Sequence, residues 1–234
     1  MKILGLQRTT LVDYPGKVAC TIFLFGCNFR CGFCYNPLLV LGGDSEIFSE
    51  SYILEFLERR RGKLDAVCVT GGEPLMTLDV GFLKKIKAMG YLVKIDTNGS
   101  FPSRLKEMID LGLVDYIAMD IKGSREYYSR VAGVNVNVNK IEESIKMIYN
   151  FGSYEFRTTI VGRLHNESSV VSMAKWMNKI CDGKPKRFFL QGFKKNEAGM
   201  IDQDFQNELN IDEKFLNELK DSIKDSFEEL EVRV

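Results

Sequence analysis

Phe25-Gly26-Cys27-Asn28-Phe29-Arg30-Cys31-Gly32-Phe33-Cys34-Tyr35 sets three cysteines within eight residues, in a C-x3-C-x2-C spacing. One short loop of this kind wraps three thiolates around one inorganic cluster. Three is the informative number. A 4Fe-4S cluster held wholly by protein takes four Cys, and a structural zinc site takes four N or S ligands. No fourth ligand stands beside the triad, and the single His of the chain is His165. The loop therefore leaves one metal position open to a further ligand. Two other readings of the triad compete: a zinc knuckle, and the loop of a ferredoxin-like electron carrier. Carriers hold a fully ligated cluster.

Outward from the loop, short apolar runs alternate with amphipathic ones. Val/Ile/Phe-rich runs predict strands at 18–25, 65–70, 91–96, 114–120, 154–161 and 186–192. Between them, Ser51 to Arg60 carries Ile53, Leu54 and Leu57 on one helical face. Asp79 to Met89 carries Phe82, Leu83 and Ile86, with Gly90 at the stop, and Pro102 to Leu111 carries Leu105, Met108 and Ile109 before Gly112. Asn139-Lys140-Ile141-Glu142 reads as a capping box ahead of Ile145 and Ile148, and Asn166 reads as the cap of a helix faced by Val170, Met173, Ala174 and Met177. Such alternation predicts βαβ units and a parallel sheet. Periodicity alone leaves open whether six units form a partial barrel or a doubly wound sheet. Beyond residue 193 the pattern changes: Lys194 to Gly199 reads as a loop, Asp212 to Lys224 as a helix, and Glu228 to Val234 as a last strand.

At 234 residues, 45% hydrophobic and 27% charged, the composition is that of an ordinary globular domain. Net charge is zero, which gives no electrostatic case for nucleic acid or an anionic membrane as partner. No signal peptide is visible and no apolar run reaches about 18 residues, so a cytoplasmic location is expected. Cys20, Cys68 and Cys181 form no second motif and read as core thiols.

Read together with its neighbours, the triad resembles the signature of the radical S-adenosylmethionine (SAM) superfamily, C-x3-C-x(aromatic)-C, with Phe33 as the aromatic. Thr70-Gly71-Gly72-Glu73-Pro74 resembles that family's GGE motif. Asp96-Thr97-Asn98-Gly99 and Asp120-Ile121-Lys122 resemble segments of glycyl-radical-enzyme activases, which act on pyruvate formate-lyase or anaerobic ribonucleotide reductase. The opening Gly5-Leu6-Gln7 and Leu11-Val12-Asp13-Tyr14-Pro15-Gly16-Lys17 is similar to the anaerobic ribonucleotide reductase group. The resemblance implies an α/β fold, a partial (βα)6 TIM-type barrel with a C-terminal helix–strand extension. Residues 1–234 would form one domain, with its core at about 16–192 and the extension at about 193–234.

The resemblance also implies the chemistry. Cys27, Cys31 and Cys34 would hold one 4Fe-4S cluster whose fourth iron is open to SAM. Gly71 and Gly72 would let backbone approach a ligand, Glu73 would accept from the SAM ammonium, and Lys122 would pair with its carboxylate. Asp96 or Asp120 would hold ribose hydroxyls or the ammonium, and Phe33 would complete the cofactor set. One-electron cleavage of SAM would give methionine and a 5′-deoxyadenosyl radical, the cofactor doing the chemistry and the protein the positioning. A glycyl radical enzyme would be the protein substrate, with a flavodoxin- or ferredoxin-type electron donor.

These segments fall at strand ends, where functional groups of parallel α/β folds collect. Each also has a plainer reading. Gly71-Gly72 makes an ordinary turn, Asp96-Thr97-Asn98-Gly99 is turn chemistry, Asp120 and Lys122 form a surface ion pair, and His165 sits in a surface loop. One departure matters. Leu190-Gln191-Gly192 stands where pyruvate formate-lyase activases carry an adenosine-contacting His, which favours the ribonucleotide reductase type. A small-molecule radical SAM enzyme resembling 7-carboxy-7-deazaguanine synthase is the competing enzyme.

Overall fold

The computed structural model describes residues 1–42, 47–195 and 199–233. Its strands follow sequence order, β1 to β8, in an eight-stranded sheet, and its contacts divide the described residues into two compact units.

The first unit holds Met1–Asn28, Leu38–Thr97 and Ser103–Ile117. β1 (Ile3–Thr10) and β2 (Ala19–Leu24) pair antiparallel; β3 (Ala66–Gly71) and β4 (Leu92–Thr97) follow in parallel. The short helix α1 (Pro37–Leu41) follows β2, α2 (Glu50–Arg59) precedes β3, α3 (Val80–Ala88) precedes β4, and α4 (Pro102–Asp110) precedes β5 (Tyr116–Asp120), whose residues divide between the units. Strand pleating sends Ile22, Val67, Val69, Val93 and Ile95 to one face, all free of solvent, with Ile53, Leu57, Phe82, Leu83 and Ile86 of the helices equally buried. On the other face Ala19, Ala66, Cys68 and Leu92 pack with Tyr14 and Tyr116, whose rings lie 5.7 Å apart. The opening segment around Tyr14 thus contributes to this unit's core.

The second unit holds Phe29–Pro37, Asn98–Pro102 and Ala118–Val234. After α5 (Tyr128–Ala132) and α6 (Val138–Phe151), β6 (Tyr154–Ile160), β7 (Arg187–Gly192) and β8 (Glu229–Arg233) run parallel, with α7 (Glu167–Cys181) and α8 (Glu213–Ile223) between them. Thr158 of β6 turns toward α7, where its hydroxyl lies 3.5 Å from Met173 Sδ. Glu155 and Arg157, one residue to either side of Phe156, therefore project from the opposite face of β6.

The six strands expected from the sequence are present within about two residues at each end, as boundaries read from periodicity allow. Asn166 caps α7, accepting from Ser169 N–H at 2.9 Å, while the Ser169 hydroxyl returns to Asn166 N–H. Asp79 and Asp212 cap α3 and α8 through Phe82 and Phe215 N–H. The capping box at Asn139 does not form. α6 begins two residues earlier than that cap implies, behind Asn137, which makes no side-chain cap bond. Arg125 draws the Asn139 carbonyl and the Glu142 carboxylate to itself, and Trp176 Nε1–H takes Glu142 as well. β1 and α5 had not been expected. Part of the C-terminal loop reading, residues 196–198, and the last residue of the final strand, Val234, lie outside the described residues.

Asn166→Ala is expected to destabilise the protein by about 1 kcal/mol, the usual worth of a formed N-cap. Asn139→Ala, which removes an exposed bond to Arg125 and no cap, should cost less than half of that. Denaturant midpoints at unchanged slope would show the difference, and equal costs would return the cap to Asn139.

Candidate functional site

Where β2 ends, the chain turns into the Cys loop, and β3 ends directly against it. Gly72 N–H donates to Leu24 O at 3.0 Å, and Glu73 N–H donates to Gly26 O at 2.7 Å. A Cβ on Gly71, whose φ is +128°, would lie 2.2 Å from Leu24 O; one on Gly72 would lie 2.0 Å from Gly26 O and 3.0 Å from Cys27 N. Contacts that close exclude any side chain. The approach these two glycines permit is thus to the backbone that carries Cys27.

Glu73 is wholly buried. Its Oε1 accepts from Leu75 N–H at 3.1 Å and from the Thr97 hydroxyl at 2.8 Å, so the carboxylate ties the end of β3 to the end of β4. Asp96, also near the end of β4, pairs with Lys94, which lies two residues back on the same strand face and is 2% exposed. Lys94 was not singled out from the sequence. Its only signal there is a lysine inside the apolar run Leu92-Val93-Lys94-Ile95.

In the second unit the rest of the Cys loop rests on the end of α5. Ala132 O accepts from Arg30 N–H at 2.9 Å, and Cys31 Sγ lies 3.7 Å from the same oxygen. Gly133 follows with φ +69°, and a Cβ there would stand 2.1 Å from Arg30 O. Cys34 N–H closes a turn onto Cys31 O at 3.0 Å. Asp202 N–H reaches Gly32 O at 3.1 Å, and Phe33 packs its ring on Phe205 at 6.0 Å, so the segment beyond β7 helps to fix the loop. Tyr35 stacks on Phe193, and its hydroxyl accepts from Lys194 N–H. Phe33 is 4% exposed, and its aromatic character serves this packing.

Asp120, at the end of β5, is held between two cations: Lys122 Nζ at 3.2 Å on one oxygen and Arg157 Nε at 3.0 Å on the other. Burial alone would raise its pKa. The charges of Lys122 and Arg157 overcome that and bring it down to about 2, so the carboxylate stays ionised at neutral pH. Burial opposes the charge on Lys122 too, and the Asp120 carboxylate more than restores it, raising its pKa. Burial pushes the Cys31 thiol up, while the Lys122 charge pulls the other way. Lys122 has 14% of its side chain exposed and Asp120 36%, so the pair is half-buried, with the lysine the more covered partner.

His165 is a correction to the surface-loop expectation. It is 4% exposed, its Nδ1 accepts from Val161 N–H at 3.1 Å, and its Nε2 lies 3.0 Å from Lys122 O. With Nδ1 accepting, the neutral ring carries its proton on Nε2 and donates it to the Lys122 carbonyl. Burial lowers its pKa, which keeps it neutral. The imidazole braces the backbone of Lys122.

Gly71, Gly72, Glu73 and Asp96 are thus gathered with the Cys27 backbone in the first unit. Phe33, Cys31, Cys34, Asp120 and Lys122 are gathered in the second. All six thiols are free of disulfides. Cys20, Cys68 and Cys181 are buried, and burial pushes Cys20 and Cys181 up to about 12. The donor set of the loop fits an iron–sulfur cluster, whose irons each take one thiolate. Among the described residues no three His, Cys, Asp or Glu side chains gather as for a single metal ion.

A family profile described as the radical SAM superfamily matches residues 21–177, about two thirds of the chain. The chain belongs to the radical SAM superfamily. Its cofactors are those of the family, a 4Fe-4S cluster and SAM. A Methanocaldococcus jannaschii protein provisionally named a glycyl-radical enzyme activating enzyme is 30% identical over 86% of this chain and 83% of its own length. A pyruvate formate-lyase-activating enzyme of Listeria monocytogenes is 34% identical over 52% of this chain and 53% of its own. A 7-carboxy-7-deazaguanine synthase of Methanospirillum hungatei is 36% identical over 44% and 42%. Among solved structures, a radical SAM methyltransferase from Sphaerobacter thermophilus superposes with a TM-score of 0.68 at 13% identity, covering 94% of this chain and 67% of that one. That likeness shows the fold, and the partial-barrel α/β class expected from the sequence stands.

Gly72→Ala is expected to cost about 2–3 kcal/mol, the upper part of the range of roughly 1–3 kcal/mol for forced overpacking, because its Cβ would meet backbone at 2.0 Å. Gly62→Ala, with φ +72° but open space around it, should cost about 1–2 kcal/mol from backbone strain alone. Chemical denaturation of both variants checks the order, and a Gly72→Ala protein as stable as the native one would contradict the close seating.

Proposed function

We propose that this radical SAM protein is an activase that places a glycyl radical on a partner enzyme of the anaerobic ribonucleotide reductase type. The observation that carries the reading is the Methanocaldococcus relative, whose similarity runs through most of both chains. The Asp96-Thr97-Asn98-Gly99 and Asp120-Ile121-Lys122 segments support it, and the absence of a His at Leu190-Gln191-Gly192 favours the reductase-type partner. Residues 1–234 act as one radical SAM domain, and a flavodoxin- or ferredoxin-type protein supplies the electron. Among the described residues no helix is long and apolar enough to cross a membrane; we place the protein in the cytoplasm.

Cys27, Cys31 and Cys34 would hold the cluster as thiolates, leaving one iron for SAM. Lys122 would take the SAM carboxylate, with Asp120 and Arg157 fixing its direction. Glu73 and Asp96 would face the ammonium and ribose, each already anchored by its own partners. Phe33 and the two glycines shape the loop around the cofactors. What the cluster and SAM supply when bound is one-electron cleavage of the sulfonium C–S bond, yielding methionine and a 5′-deoxyadenosyl radical. The role of this chain's side chains is to hold the cofactor in one orientation and to keep water from it.

Cys31→Ala is expected to abolish cluster loading after anaerobic reconstitution, where the native chain takes up about four irons. Cys181→Ala, a core substitution in α7, should load normally. Lys122→Met should load iron normally yet bind SAM at least about 30-fold more weakly, as loss of a desolvated charge contact costs about 2–5 kcal/mol.

The activase reading is tested by mixing the reduced protein and SAM with an anaerobic ribonucleotide reductase from the same source. A glycine-centred doublet in electron paramagnetic resonance is expected, and it should vanish when the partner's radical glycine is replaced by alanine. The similarity to a 7-carboxy-7-deazaguanine synthase over less than half the chain supports a second reading, a small-molecule substrate. SAM turnover driven by a purified metabolite, with no protein radical, would select it.

A further inference from the structure

Asp120 and Lys122 stand at one end of a longer row of charges in the second unit. Arg157, on β6, gives Nε to Asp120 at 3.0 Å and lies 3.6 Å from Glu155 Oε1 through Nη1. Glu155, on the same face of β6, has 3% of its side chain exposed. Arg233 of β8 grips it with two bonds, Nη1 to Oε1 at 3.2 Å and Nη2 to Oε2 at 3.1 Å. The Arg233 guanidinium is itself laid on the Phe189 ring, 3.4 Å from its centroid. The order is Lys122, Asp120, Arg157, Glu155, Arg233, with the sign alternating at every step.

The row has a mechanical consequence. Arg157 meets both carboxylates of this row, so how strongly it holds Asp120 depends in part on how well Arg233 compensates Glu155. A buried carboxylate cannot be left half-neutralised without a large penalty. With Arg233 in place, Glu155 makes a small demand on Arg157, and Asp120 keeps its guanidinium partner. Without Arg233, Glu155 would draw Arg157 toward itself, and Asp120 would turn to Lys122 for its counter-charge. Lys122 would then be less available to any other anion. No such coupling is expected of a plain surface ion pair, whose members titrate and move independently.

We propose that Glu155 and Arg233 are positioning residues for SAM: acting through Arg157, they set how firmly Asp120 is held and so leave Lys122 available to the SAM carboxylate. The proposal rests on the reading that Lys122 contacts SAM. It makes β8, which carries no cofactor motif, part of what determines cofactor affinity.

The test is a double-mutant cycle on the full, cluster-loaded chain, with SAM dissociation constants measured anaerobically by equilibrium dialysis. Arg233→Met should weaken SAM binding about tenfold, within the range of couplings carried through contacting charges. Adding Glu155→Gln to it removes the carboxylate that Arg233 had held and should restore affinity to within about threefold of native, by the same coupling. Arg233→Lys, which keeps the charge, should also stay close to native. Glu155→Gln alone commits Arg157 to Asp120 and should bind SAM at least as tightly as the native chain.

A purely structural role predicts the opposite pattern: the two substitutions would add, and the double variant would be the weakest. That result, or an Arg233→Met protein with native affinity, overturns the proposal. Where Arg233→Met fails to fold, Glu155→Gln decides, since marked weakening of SAM binding by that variant alone is incompatible with the relay. Lys122→Met is measured in parallel. If it weakens SAM binding while Arg233→Met does not, the relay falls and the reading of Lys122 stands. If Lys122→Met leaves affinity native, the reading of Lys122 falls and takes the relay with it.

Discussion

Two carbonyl oxygens of the Cys loop, on Gly26 and Arg30, are met so closely that only glycine can stand opposite them. A Cβ on Gly72 would lie 2.0 Å from the first, and one on Gly133 would lie 2.1 Å from the second. These contacts fall on either side of Cys27 and fix the backbone from which the thiols project. Glu73 N–H bonds to one of these oxygens, and Arg30 N–H bonds to Ala132 O beside the other. A loop proposed to present three thiolates in one arrangement has little tolerance for drift. Backbone packed too closely to admit a Cβ has no side-chain rotamer through which to relax.

Within each unit, charge does what packing cannot. In the second unit Lys122 and Arg157 both hold Asp120; in the first, Lys94 is buried beside Asp96, and Glu73 is buried among protein donors. Buried ion pairs of this kind are poor sources of stability, because desolvation consumes most of their attraction. Their value is directional. A carboxylate held by two cations has one orientation, and its ionised state is secured. The neutral His165, donating to Lys122 O, extends the same principle to the backbone.

Much of this was legible in the sequence, for physical reasons. Strands such as 65–70 and 91–96 are buried on both faces and read as continuous apolar runs, so their positions were clear. The cap at Asn166 was legible because a cap is a local bond. The cap expected at Asn139 failed because Arg125 and Trp176, 14 residues before Asn139 and 34 after Glu142, took the same side chains. β1 escaped because its burial alternates weakly, and α5 because five residues are too few to show a period. The cysteine triad stands out by its spacing, whereas the glycine pair and the two Asp-containing segments read as plain turns or an ion pair until the family resemblance singles them out. Lys94, Glu155 and Arg233 stand out in neither way, since each became significant only through a partner that folding supplied. His165 was misjudged for the same reason. Nothing beside it in sequence reveals that Val161 N–H and Lys122 O would close around its ring.

The central claim is that the loop's three thiolates leave an iron open to SAM and that the surrounding charges orient it for cleavage. It is tested most directly by anaerobic reconstitution followed by dithionite and SAM, with 5′-deoxyadenosine and methionine quantified together. The account predicts both products in equal amounts, and neither from Cys31→Ala. A fully iron-loaded protein that leaves SAM intact would contradict it.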